Sequence, residues 1–68
     1  MIIYVDSYAS DAELEFIANA VSEKYGTEFR PFRRYYSKGI EQIGDPDVSM
    51  RSEYEQAAQQ AACDYEYK

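Results

Sequence analysis

The chain opens on an unbroken β-branched and aromatic run, Ile2-Ile3-Tyr4-Val5, that stops at Asp6-Ser7. Such a run, bounded by polar turn residues, predicts a first strand of about five to seven residues. From Ser10 the period changes. Leu14, Ile17, Ala18, Val21 and Tyr25 recur at helical spacing, with Glu15, Asn19, Ser22 and Glu23 opposite them, and this predicts an amphipathic helix from about Asp11 to Tyr25. Ser10-Asp11-Ala12-Glu13 has the form of a capping box, in which Ser10 accepts from the Glu13 amide and the Glu13 carboxylate reaches back. Gly26 supplies the left-handed stop. Phe16 lies off the stripe and is expected to be partly buried.

Thr27 to Tyr36 is rich in Phe, Tyr, Thr and Arg and has no helical period, so it reads as a second strand; Pro31 lacks an amide and assigns it to an edge or a bulge. Alternation puts Phe29, Arg33 and Tyr35 on one side and Arg30, Phe32, Arg34 and Tyr36 on the other. Ser37-Lys38-Gly39 carries a turn signal, and Ile40 to Ile43 is expected to return as a short third strand. Gly44 ends it. Asp45-Pro46-Asp47 then offers an N-cap carboxylate, a proline in the first turn and a second acid near the helix dipole. Met50, Tyr54, Ala57, Ala58, Ala61 and Tyr65 form a narrow stripe, which predicts a second helix from about Pro46 to near Tyr65.

The element order is β-α-β-β-α, and the expected class is α+β: one compact domain over residues 1–68, with a two- or three-stranded sheet packed by two helices. A core of this size is marginal, and pairing of two copies through an exposed strand edge would enlarge it. No apolar run approaches the roughly 20 residues of a membrane-spanning helix. The first residues lack the basic start and cleavage site of a signal peptide, so a cytoplasmic setting is expected.

Composition narrows the chemistry further. There is no histidine and a single cysteine, so the commonest general base is absent and neither a disulfide within the chain nor an ordinary zinc site is expected. Cys63 falls opposite the alanine stripe, with Asp64 and Glu66 beside it to oppose a thiolate. Asp45 with Asp47, and Glu53 with Glu55, lack the spacing of a calcium loop, and the first pair is better read as a helix cap. Gly26, Gly39 and Gly44 are isolated and read as punctuation, with no phosphate-binding loop among them. The expectation is a non-enzymatic protein without metal or cofactor.

The net charge of -6 is unevenly spread. Residues 1–27 hold five acids and one base, residues 28–40 one acid and four bases, and residues 41–68 seven acids and two bases. This excess of carboxylates disfavours direct nucleic-acid binding and favours a partner with a basic surface, such as a nucleic-acid-binding protein. Eight tyrosines add large amphipathic contact area. Tyr4, Tyr25, Tyr54 and Tyr65 are read as mostly core residues, Tyr8 and Tyr67 as contact residues.

In size, charge and aromatic content the chain is similar to short acidic phage-encoded proteins that block host defence nucleases, of the anti-CRISPR and anti-restriction kind. The resemblance rests on no motif and carries no residue across. It implies a viral inhibitor that mimics nucleic acid, and the carboxylates expected to contact the target are Glu15 and Glu23 on the first helix and Glu53, Glu55, Asp64 and Glu66 on the second, with Tyr67 beside them. An alternative is a dimeric adaptor or assembly module that docks through Arg30, Arg33, Arg34, Tyr36 and Lys38 of the basic-aromatic segment. A third reading makes the same segment the contact surface of a small RNA-binding regulator.

Overall fold

A computed structural model describes residues 1–6, 8–44 and 48–66, and of Val48 the backbone only. The elements are β1 (Ile2–Val5), α1 (Asp11–Tyr25), β2 (Phe29–Arg34), β3 (Ser37–Gln42), a single 3-10 turn (Val48–Met50) and α2 (Arg51–Glu66). The order is the expected β-α-β-β-α, and the class is α+β. The three strands form one antiparallel sheet in the order β1-β3-β2. β1 and β2 therefore run parallel, joined through α1, with β3 inserted between them as in a split β-α-β unit.

The helices share one side of the sheet. α1 rests on β2 and β3, α2 rests on β1, and the two helices pack on each other. The smallest principal extent, 16 Å between Cα positions, is that of two layers. Between them lie Ile3, Ile17, Ala18, Val21, Phe29, Ile40 and Tyr54, with Ala57, Ala58 and Ala61 of α2. The alanines allow α2 to lie close to its neighbours. The Tyr54 ring meets Tyr25 at 5.0 Å and Phe29 at 5.1 Å, both edge-on, so one aromatic cluster links α1, β2 and α2. Phe16 is half-buried against Tyr65 at 5.5 Å, as its position off the stripe implies.

The ends of α1 follow their local chemistry. Ser10 Oγ accepts from the Glu13 amide at 3.2 Å, and Gly26 at φ 65° donates its amide to the Ser22 carbonyl at 2.8 Å. Among the described residues Glu13 makes no return bond to Ser10. The Ser22 side chain ties α1 to β2, because its hydroxyl donates to the Ala18 carbonyl at 2.6 Å and accepts from the Phe29 amide at 2.9 Å.

The hairpin departs from the expected turn. Arg34 pairs with Ser37, so the turn is Tyr35-Tyr36, while Ser37-Lys38-Gly39 lies inside β3. Neither tyrosine has a positive φ, unlike the residues of the primed turns that two-residue hairpins favour. β3 is thus longer than Ile40 to Ile43 and is the central strand; β2 is shorter than Thr27 to Tyr36. Gly39 is not punctuation. A Cβ there would collide with the Ile3 carbonyl oxygen and stand 2.9 Å from Tyr4 Cα, so glycine permits β1 to approach β3. α2 begins at Arg51 after the 3-10 turn, later than Pro46, and the Asp45-Pro46-Asp47 cap lies outside the described residues. Tyr4 is 61% exposed, not core, because strand alternation turns it to the side opposite Ile3. Tyr25, Tyr54 and Tyr65 are buried or half-buried.

Gln42 is the one buried polar side chain among the described residues. Its Nε2 donates to Thr27 Oγ1 at a long 3.4 Å, and its Oε1 has no partner. Replacing Gln42 by Met is expected to raise the unfolding free energy by about 1 kcal/mol, since it removes an unsatisfied buried acceptor at similar volume. Gly39→Ala is expected to lower it by at least about 2 kcal/mol, because backbone atoms cannot make way for the new methyl. Urea unfolding of the two variants beside the wild type measures both.

Candidate interaction surfaces

The side of the sheet away from the helices is open, and its composition follows from the register. Ile2, Glu41 and Arg30 form one cross-strand row, Tyr4, Gly39 and Phe32 the next, and Ser37 with Arg34 the last. The Tyr4 and Phe32 rings meet over Gly39, 6.3 Å apart and at 79°. The glycine leaves the space that lets residues two strands apart touch. Arg34 places its guanidinium carbon 5.8 Å from the Phe32 ring centre, a cation-π arrangement. At the tip of the hairpin Tyr35 and Tyr36 stack edge-on at 4.7 Å, 90% and 84% exposed. The open face is therefore aromatic and basic, with Glu41 beside Arg30.

The basic residues singled out from sequence divide between the two sides of the sheet. Arg30 and Arg34 point to the open face, and Tyr36 stands at the tip next to it. Arg33 faces the helices, where its Nε donates to Asp11 Oδ1 at 2.6 Å. Lys38 also faces them and donates from Nζ to the Ala9 carbonyl at 3.2 Å. Both join the strands to the start of α1. The arginine pair is well exposed, so its strength is modest and it positions more than it stabilises.

Most of the acidic residues belong to the other layer. Each helix carries four carboxylates and one base: Asp11, Glu13, Glu15, Glu23 and Lys24 on α1, and Glu53, Glu55, Asp64, Glu66 and Arg51 on α2. The expected contact carboxylates do not converge on one row. Glu15 and Glu23 are exposed on α1, about 80° apart around its axis. Glu53 and Asp64 border the furrow between the helices, where Lys24 also lies. Glu55 accepts from Arg51 Nε at 3.0 Å, and Asp64 accepts from Gln60 Nε2 at 3.0 Å. Glu66 is on the opposite flank of α2, beside β1. Tyr67 lies outside the described residues.

A cleft that sequence reasoning missed runs between β1 and α2. It has a volume of about 430 Å³ and is lined by Tyr4, Val5 and Asp6 on one wall and by Ala58, Ala62 and Glu66 on the other. A smaller hollow of about 300 Å³ continues it past Ala9 to Tyr8 and Glu13. Tyr8, expected to be a contact residue, is 93% exposed there. Only the small residues at positions 58 and 62 hinted at such a space. Cys63 is exposed on the cleft wall. Among the described residues no group of three or more metal-ligating side chains is gathered, and no helix is long and apolar enough to cross a membrane. No protein-family model, curated protein or solved structure matches the chain.

Proposed function

We propose that the chain is a non-enzymatic binding protein of the cytoplasm that docks onto another protein through the open face of its sheet. The observation that carries this reading is the pairing of exposed Tyr4 with half-buried Phe32, flanked by Arg30 and Arg34, with the Tyr35-Tyr36 tip beside it. Tyrosine and arginine dominate the energetics of protein interfaces because they combine large contact area with oriented hydrogen bonding. Here they sit on a sheet that is already ordered, so little conformational entropy is lost on docking. Direct binding of nucleic acid is disfavoured. Glu41 interrupts the basic groups, and eight helical carboxylates lie across a domain only 16 Å thick, within two Debye lengths of the face at physiological salt.

A second reading is favoured by the segregation of charge between the layers. In it the acidic helices occupy the basic, nucleic-acid-binding surface of a host defence protein, and the chain is a viral inhibitor of the anti-CRISPR or anti-restriction type. The carboxylates then act as a broad field over the helical layer, which steers association and is weakened by salt.

Affinity capture from a host lysate with two double variants separates the readings. Under the sheet-face reading Arg30→Glu with Arg34→Glu lowers recovery of the captured protein at least about tenfold, while Glu53→Lys with Asp64→Lys leaves it within about twofold. The opposite pattern establishes the acidic layer as the docking surface. Saturable binding of single-stranded oligonucleotide at low salt, lost in the arginine variant, would replace both readings with nucleic-acid recognition.

A further inference from the structure

The two edges of the sheet are unequal. The Ile43 amide bonds to the Glu28 carbonyl and the Gln42 amide to the Met1 carbonyl, each at 2.9 Å. These bonds set the phase of both ladders: odd positions of β3 bond to β2 and even positions to β1. Along β2 the groups turned outward therefore belong to Phe29, Pro31 and Arg33. The Phe29 amide is already taken by Ser22 Oγ, and Pro31 has none. Of the outward amides of β2 only that of Arg33 is left for a further strand, against two on β1. Along β1 the outward groups are the N–H and C=O of Ile2 and Tyr4, and among the described residues no hydrogen bond occupies them.

Space exists beside this edge because α2 overhangs it. Two packed helices need about 8 to 10 Å between axes, and the outer strands of a three-stranded sheet are also only about 10 Å apart. With α1 over β2 and β3, α2 reaches past β1, and below the overhang lies the cleft of about 430 Å³. Its α2 wall includes the small side chains of Ala58, Ala62 and Cys63, which leave room for incoming ones, together with Gln59 and Glu66. The end nearest the C-terminus of β1 is acidic, bordered by Asp6, Glu13 and Glu66.

We propose that β1 receives an extended segment of a partner protein as a fourth strand. Its backbone pairs with Ile2 and Tyr4, its alternate apolar side chains rest on Ala58 and Ala62, and a Lys or Arg at its end lies against Asp6, Glu13 and Glu66. Main-chain bonds supply affinity and the alternating contacts supply selectivity, as in other cases of strand addition. A second copy of the chain suits the site less well. Its α2, with four carboxylates against one base, would come alongside an identical helix. The site meets the open face only at Tyr4 and does not include Phe32, Arg30 or Arg34.

The test is an NMR titration of the isotope-labelled full chain with the acetylated and amidated peptide Lys-Thr-Val-Thr-Val-Thr-Lys, which carries its valines and a base at either end on one face and so fits in both directions. The amides of Ile2, Tyr4, Ala62 and Glu66 are expected to shift, with cross-strand contacts between peptide and β1. Replacing both lysines by Glu, or N-methylating alternate residues of the peptide, is expected to weaken binding at least about tenfold, the loss of one good hydrogen bond or more. Ile2→Pro is expected to do the same while keeping the fold, because the amide it removes points away from β3. Phe32→Ala, which removes the sheet-face ring pair at a residue that does not line the cleft, is expected to leave the affinity within about threefold, so this site and the sheet-face reading stand or fall separately. Equal binding of the methylated or acidic peptide, or shifts confined to other residues, would overturn the proposal. Self-association through the Ile2 and Tyr4 amides without peptide binding would overturn it in favour of a second copy.

Discussion

The close passage of β1 over Gly39 is the contact on which the architecture turns. Among the described residues β3 is the only strand with neighbours on both sides, and it carries the register of the sheet. At Gly39 the backbone of β1 comes near enough that a methyl group would strike the Ile3 carbonyl. Two consequences follow from the one missing side chain. β1 can complete the sheet and bring Ile3 over Ile40 in the core, and the rings of Tyr4 and Phe32 can meet across the space left on the other side. The glycine that closes the core also shapes the open face.

Charge is divided by the same layering. The strands hold Arg30, Arg33, Arg34 and Lys38 against Glu41, and the helices hold eight carboxylates against two bases. Arg33 and Lys38 turn toward the helices and tie the layers together at Asp11 and Ala9. Arg30 and Arg34 turn away from them. A difference of one residue along β2 thus decides whether a guanidinium serves the fold or faces a partner, which is the expected result of a period of two.

The helix α1 was legible because its signals are local: a Ser10 cap, a Gly26 stop and a stripe of apolar residues between them. The sides of β2 were legible for a similar reason, since alternation alone separates Arg33 from Arg30 and Arg34, and Pro31 marks an edge. β3 was not. Ser-Lys-Gly at its start has turn composition, and its extended form comes from pairing with two strands distant in sequence, which no local pattern records. The reverse holds for Tyr35-Tyr36, whose residue types favour strands but which turn because Arg34 pairs with Ser37. Tyr4 sits within an apolar run, and only the placement of both helices on one side of the sheet makes its own side solvent. The same cause hides the candidate surfaces. Which carboxylates share a flank, and that a cleft opens beside β1, depend on how α2 lies over the sheet.

The imbalance between the outer strands also limits how far such a chain grows. A sheet with two receptive borders polymerises, since each newcomer presents another border to the next. Here Pro31 and the Ser22 bond at Phe29 leave one border with a single outward amide, that of Arg33, which disfavours ribbon-like stacking of copies beyond a single addition. A chain with exposed tyrosines thereby presents one receptive border, the one at which we place an incoming strand, and one that discourages further growth.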